Sequence, residues 1–288
     1  MYLKNIVLTL LLITASLVQP VFAQDSAALD AVLAAQDDEH KARYVFRNPK
    51  ETLEFFGIEP GMAIGEILPG GGWYTKILLP YLGDEGSLIG VDYPIELFSE
   101  FGPDSFATPE FIKKKESWPE TWTAEAETWL NGASTSISAA TFSTMPAESD
   151  GSLDAILFIR ALHNLTRFNS NGGYLDSALE ASFKALKPGG IVGVVQHQAR
   201  EDRSDEWADG NNGYLKTSFI KEQMANAGFQ FVGESNINSN ELDQAKEGDQ
   251  VWRLLPRLRA EGSEEEIAAV RAIGESNRTT LKFIKPSQ

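Results

Sequence analysis

The stretch Gly65–Leu78, GEILPGGGWYTKIL, decides how the chain is read. An apolar run, Met62–Leu68, leads through Pro69 to Gly70, Gly71 and Gly72, and a helical pattern, Trp73–Leu82, starts directly after them. Glycine gives up more conformational freedom on folding than any other residue. A simple turn needs one or two, so three together mark a place where the backbone must approach something closely. In a parallel α/β sheet, a turn between a strand and its following helix lies at the carboxyl end of the strand, where such sheets bind ligands. The free N–H groups of the helix start favour a carboxylate or phosphate at the same spot.

The same alternation continues outward. Short apolar runs predict strands at Ser87–Val91, ending at Asp92, and at Thr135–Phe142, Leu153–Ile159, Ile191–Gln196, Phe229–Val232 and Thr280–Ile284. Helical patterns fall at Pro94–Phe101, Phe111–Leu130, Tyr174–Leu186 and Ser218–Ala227. Strands alternating with helices imply an α/β fold with a doubly wound, mostly parallel sheet. Upstream, Ser26–Phe56 reads as helical, with a second start at Asn48–Pro49 and a stop at Gly57. Trp118, Trp122 and Trp129 fall near one helix face and read as packing residues. Ser263 and Glu266 have the spacing of a capping box. The polar segment from Arg200 through Gly213 reads as an active-site loop or a mobile excursion.

The chain has 288 residues and a net charge of -16. That length suits one large or two small domains. The acid excess argues against nucleic acid and anionic membrane as partners, since phosphates are repelled. The short basic run Lys113–Lys115 reads as a solvated helix face. No cysteine is present, which excludes disulfides, a thiol nucleophile and cysteine-ligated metal. Lys4, the apolar run Ile6–Val18 and a small residue at Ala23 resemble a secretory signal cleaved before Gln24. The apolar run is short for a membrane span. The expected organisation is a signal peptide at 1–23, a helical extension at 24–60 and an α/β domain at 61–288. A periplasmic or secreted location follows, with an uncleaved amphipathic anchor as the alternative.

Asp92, at the end of the second strand, is placed to accept hydrogen bonds from a ribose diol. The glycine spacing is a poor dinucleotide fingerprint, because Thr75 fills the third glycine place, and no lysine followed by Ser or Thr completes a P-loop. The histidines are three: His40, His163 and His197. His163 and His197 each follow a strand, where a neutral imidazole can take a proton. His40 reads as a surface or lid residue. No spacing supports a metal site.

Five segments, in order, resemble the class I S-adenosylmethionine-dependent methyltransferases: AIGEILPGGGWYTKIL (63–78), GSLIGVD (86–92), SLDAILFIRALHNL (152–165), LKPGGIVGVVQH (186–197) and FIKEQMANAGFQFV (219–232). With RNPKETLEFFGIEPGM (47–62) and TLKFIKP (280–286), the chain is further similar to an exported subgroup of that family. The resemblance implies a Rossmann-like, seven-stranded sheet in methyltransferase order with an antiparallel last strand. It implies S-adenosyl-L-methionine as cofactor, held by Glu66, Gly70, Gly71, Gly72 and Asp92, with Thr141 near the adenine. It makes His163 and His197 candidate catalytic bases, and Arg160 and Asn164 candidates for orienting a small-molecule or cell-envelope substrate. Glu66 has an alternative role as a cap on the next helix, and Asp154 reads as fold support. The chain departs from the family at Leu68, where a glycine is usual, and after the third strand, where no acid is available for the adenine. Two functions stay open: a methyltransferase, and a catalytically inactive binding protein of the same fold. A nicotinamide oxidoreductase fits the fold but not the glycine spacing.

Overall fold

A computed structural model describes residues 22–102 and 105–287. The signal-peptide assignment rests on residues that, up to Val21, lie outside the described ones. Eight strands form: β1 (Ala63–Ile67), β2 (Ser87–Asp92), β3 (Ser136–Thr141), β4 (Leu153–Ile159), β5 (Leu186–Ala199), β6 (Leu215–Lys216), β7 (Gln230–Ser235) and β8 (Arg278–Ile284). The main path runs β3-β2-β1-β4-β5-β8-β7. β1 to β5 pair in parallel, and β8 is antiparallel to both of its neighbours. This is the predicted seven-strand order, with strand order reversing between β1 and β4.

The eighth strand is a correction. β5 continues to Ala199 rather than stopping at Gln196, and the returning chain pairs Leu215 and Lys216 with Gln198 and Ala199. β5 also starts early and takes in the LKPGG segment, with a register shift opposite Leu153–Ala155.

β1 and β2 are almost wholly buried, as strands covered by helices on both faces must be. Alternate residues of β4 serve opposite faces. Ile156 and Phe158 join one apolar layer with Ile67, Val91 and Val194. Ala155 and Leu157 join the other with Phe56, Ile64, Leu78 and Val195.

Both long helical stretches are interrupted more often than expected, the first at its expected second start, Asn48–Pro49, and also upstream of it. Ser26–Phe56 divides into helices Phe22–Ala35, Asp38–Lys41, Tyr44–Arg47 and Pro49–Phe56. Asp37 caps the second by accepting from the His40 backbone N–H at 2.7 Å. Asn48 adopts a left-handed conformation ahead of Pro49, which disfavours helical backbone in its predecessor. These bends bring His40, Arg43 and Arg47 to the carboxyl edge of the sheet. Phe111–Leu130 divides at Ser117 into Pro109–Glu116 and Trp118–Glu127, because Pro119 has no N–H to continue the ladder. Among the described residues no helix is long and apolar enough to cross a membrane.

Candidate active site

A cavity of about 610 Å³ opens at the carboxyl ends of β1, β4 and β5. Its size suits a small molecule. Leu68–Gly71 form one side, Arg160 and His163 follow β4, and His197 comes from β5. The N-terminal helices contribute His40, Arg43 and Arg47, and the segment Val251–Arg257 completes the wall.

The glycines divide their work. A Cβ on Gly72 would stand 2.2 Å from the Trp129 ring, so Gly72 makes room for an indole. A Cβ on Gly71 would meet nothing within 4 Å, and Gly70 is nearly as open. Their backbone therefore faces the cavity free of side chains. Leu68 adopts φ 51, a conformation natural to the glycine usual in the resembling family. That conformation costs about 1–2 kcal/mol for a residue with a Cβ. Its side chain packs on the sheet's apolar layer and borders the cavity without closing it.

Glu66, Asp92, Thr141 and Asn164 do not line this cavity. Glu66 accepts from the Thr75 hydroxyl at 2.6 Å, at the first residue of helix Thr75–Leu82. Burial raises its pKa to about 7 against the opposing Thr75 bonds. These bonds tie Glu66 to the first turn of that helix. Asp92 is 2% exposed, accepts from the Tyr93 N–H at 2.8 Å and pairs with the Lys115 ammonium at 2.5 Å. Burial raises its pKa and Lys115 opposes the rise. Lys115 is thus not on a solvated face: it reaches back across Phe98 and Trp118 to Asp92. Thr141 bonds Thr144 through the two hydroxyls, and Asn164 sits beside the Tyr93 hydroxyl.

His163 and His197 do come together, with ring centroids 5.6 Å apart. Burial drives His163 down to about 4 and His197 well below its ordinary value, so both are neutral at neutral pH. Their roles differ. The Gln196 amide nitrogen donates to the Gly213 carbonyl at 2.9 Å and stands 3.4 Å from His163 Nδ1. The carbonyl fixes the amide's orientation, so His163 Nδ1 accepts and its Nε2 carries the hydrogen. In this tautomer His163 offers a donor at Nε2. His197 Nδ1 lies 2.5 Å from the Ser276 hydroxyl, whose oxygen can accept a hydrogen bond from Nδ1–H and so leave Nε2 unprotonated as a base.

His40 is a further correction. It is buried, stacks on Trp73 at 4.5 Å with rings 5° from parallel, and lines the cavity. Burial lowers its pKa to about 4.

Nothing in the sequence pointed to the arginine cluster beside the cavity. Glu275 pairs with Arg43 at 2.5 Å, Arg47 at 3.2 Å and Arg278 at 3.3 Å. The Arg47 guanidinium lies over the Trp73 ring at 4.4 Å, and Arg160 stands near enough for its charge to be felt by Arg47. Arg43 and Arg47 share a helical spacing, but nothing local pairs them with an acid 228 positions beyond Arg47. Among the described residues no group of three or more His, Cys, Asp or Glu could hold a metal ion.

Solved structures share this architecture. The 4+2 cyclase SpnF superposes with a TM-score of 0.50 at 16% identity, over 84% of this chain and 81% of its own. A SAM dependent methyltransferase from Aquifex aeolicus gives 0.48 at 12% identity, over 89% and 98%. The Burkholderia thailandensis 1,6-didemethyltoxoflavin-N1-methyltransferase, with bound 1,6-didemethyltoxoflavin and S-adenosylhomocysteine, gives 0.44 at 13%, over 96% and 94%. No family model matches the chain, and no curated protein matches it in sequence. The strand order, together with the superposition on SpnF, shows a Rossmann-like fold with its strands in methyltransferase order. At such identities the likeness is one of fold, and the reaction has to be argued from the site.

Proposed function

We propose that the protein is an exported S-adenosylmethionine-dependent methyltransferase whose acceptor, a small molecule or cell-envelope component, enters the cavity at the ends of β4 and β5. One observation carries this: the open Gly70–Gly71 backbone at the carboxyl end of β1, where strand order reverses. Asp92 ends the adjacent strand β2, the place for a ribose diol. Gly70 and Gly71 leave room for the cofactor, and Asp92 can accept from its ribose once Lys115 withdraws. Lys115 is a single flexible side chain, 19% exposed, on the short helix Pro109–Glu116. When bound, S-adenosylmethionine supplies an electrophilic methyl group on a sulfonium. The chain's own residues position the acceptor, exclude water and hold its proton, and positioning alone supplies much of such a rate. His163 offers an N–H, and His197 Nε2 takes a proton from an acceptor hydroxyl or amine. The export proposal rests on Lys4, the Ile6–Val18 run and Ala23.

A second function, a binding protein of this fold without chemistry, is favoured by the closed Asp92–Lys115 pair. Calorimetric titration with S-adenosylhomocysteine separates the two. The methyltransferase binds it with micromolar affinity. Asp92→Ala weakens binding by about tenfold or more, the scale of a hydrogen bond to a charged group. Lys115→Met, which removes the competing ammonium, tightens it. Absence of binding in both wild type and Lys115→Met overturns the methyl-donor proposal. Cell fractionation tests export: a mature chain starting at Gln24 outside the cytoplasm is expected, and retention of the whole chain inside overturns it.

A further inference from the structure

The cavity wall is unlike the rest of the molecule. The chain as a whole carries a net charge of -16. Yet Arg43, Arg47 and Arg160 line the cavity, Lys76 and Arg257 join them, and Arg278 stands directly behind. Against these cations the cluster sets one buried carboxylate, Glu275, already shared among Arg43, Arg47 and Arg278. Asp37 and Glu39 also line the cavity, and Asp37 is engaged in capping the next helix.

Residues of the wall also hold unpartnered buried polar atoms. Arg160 Nε and Trp73 Nε1 are both buried without a hydrogen-bond partner, and His163 presents its Nε2 hydrogen. Buried polar groups in folded proteins are ordinarily satisfied, and each exception calls for an explanation. His40 Nε2 is a further buried atom without a partner, in a side chain 5% exposed. Unpaired donors and excess positive charge at one cavity call for an acceptor group with negative charge. Guanidinium groups match carboxylate and phosphate with paired, charge-assisted hydrogen bonds.

We infer that the acceptor molecule carries an oxyanion, a carboxylate or phosphate, seated by Arg160 and the Arg43–Arg47 wall beside Trp73, with its reacting end towards His163 and His197. This rests on the methyltransferase reading for the word acceptor, while the anion site stands on the cavity alone. The cofactor does not account for the charge. S-adenosylmethionine brings a sulfonium and an ammonium against a single carboxylate, so its arrival adds positive charge.

The test titrates inorganic phosphate and, separately, malonate into the full chain at fixed ionic strength, without and with saturating S-adenosylhomocysteine. The expected result is saturable binding of at least one of the two anions, weakened about tenfold or more in Arg160→Met. Which anion binds tighter identifies the headgroup. The net negative charge of the chain opposes non-specific anion uptake, and a surface variant, Lys184→Met, serves as the control with unchanged affinity. Melting curves show whether Arg160→Met is folded. If it is not, Arg257→Met at the wall replaces it, with a smaller loss expected. Binding that persists or tightens with S-adenosylhomocysteine present supports the acceptor assignment. Mutual displacement overturns it and makes the cluster the seat of the cofactor's own carboxylate. No anion binding in wild type overturns the inference outright. Failure of S-adenosylhomocysteine to bind removes only the methyl donor, because the titrations without it are read independently.

Discussion

Glu275→Gln lowers the thermal midpoint by on the order of 10 °C at neutral pH, measured by calorimetric or circular-dichroism melting. Glu275 is 3% exposed and Arg47, its partner, 2%. Removing the charge of one member of a buried ion cluster leaves the others unpaired, a loss of about 3–5 kcal/mol. Burial pushes the Arg47 pKa down to about 8, with Arg160 adding to the fall and Glu275 opposing it. Burial opposes ionisation of Glu275 too, but Arg47, Arg278, Arg160 and Arg43 prevail and hold its pKa below the ordinary value. A carboxylate with a depressed folded pKa contributes stability above its unfolded value, about 4.3, and loses it as pH falls through the folded value. The difference in midpoint between wild type and variant is therefore full at neutral pH and narrows below about pH 4. Arg43→Gln is a contrasting case. Arg43 is 25% exposed, and Glu275 keeps Arg47 and Arg278, so the loss is within about 1 kcal/mol. A midpoint unchanged by Glu275→Gln would show that the cluster does not hold the N-terminal helices to β8.

The same substitution joins stability to binding. Glu275→Gln removes the anion that shares Arg43, Arg47 and Arg278, so affinity for an added anion rises while stability falls. Phosphate then recovers part of the lost midpoint by binding only the folded state. A purely structural cluster gives the first effect without the second.

The sheet was legible because its strands carry their signal locally. β1, β2 and β4 are continuous apolar runs closed by turn residues, and their observed ends agree with the runs to within a residue. β5 was read too short because Lys187–Gly190 has turn composition, yet the Gly189 N–H donates to the Lys285 carbonyl and the Lys285 N–H to the Gly190 carbonyl, just beyond β8. The glycine turn was legible as a place of close approach, but what approaches Gly72 is Trp129, 57 positions onward by sequence number. The site itself was legible only in part. Arg160 and His163 follow β4 and His197 lies near the end of β5, so topology could place them. His40, Trp73, Trp252 and the Glu275 cluster could not, since their meeting depends on the helix break at Asp37 and on contacts between residues more than 200 positions apart, such as Arg43 and Glu275. Lys115 has the same lesson in reverse: its neighbours Lys113 and Lys114 are exposed, and only its own position on the helix turns it onto Asp92.

Gly210→Ala costs about 2–5 kcal/mol and disorders the wall of the cavity. The polar segment after β5 was expected to be an active-site loop or a mobile excursion, and it is pinned to its surroundings. Trp207 stacks on Tyr214 with centroids 5.2 Å apart, Asp209 bridges to Leu215, and Gln196 donates to the Gly213 carbonyl. At the centre, Gly210 has φ 94, and a Cβ there would stand 2.2 Å from the His163 carbonyl oxygen and 3.3 Å from the Arg167 nitrogen. Both obstacles are backbone atoms of helix Leu162–Arg167, so neither can swing aside as the Trp129 indole can at Gly72. Either the loop lifts or the helix carrying His163 shifts. Both outcomes release Gly213 from Gln196, and with it the bond that sets the His163 tautomer. The expected signature is a lower melting midpoint together with faster proteolytic cleavage between Arg200 and Lys216. Gly71→Ala is the matched control, because its Cβ meets nothing within 4 Å. Its stability stays within about 0.5 kcal/mol of wild type, while its new methyl group projects where the cofactor is proposed to lie. A loop in Gly210→Ala that resists protease as well as wild type would mean that the close approach to His163 does not fix it.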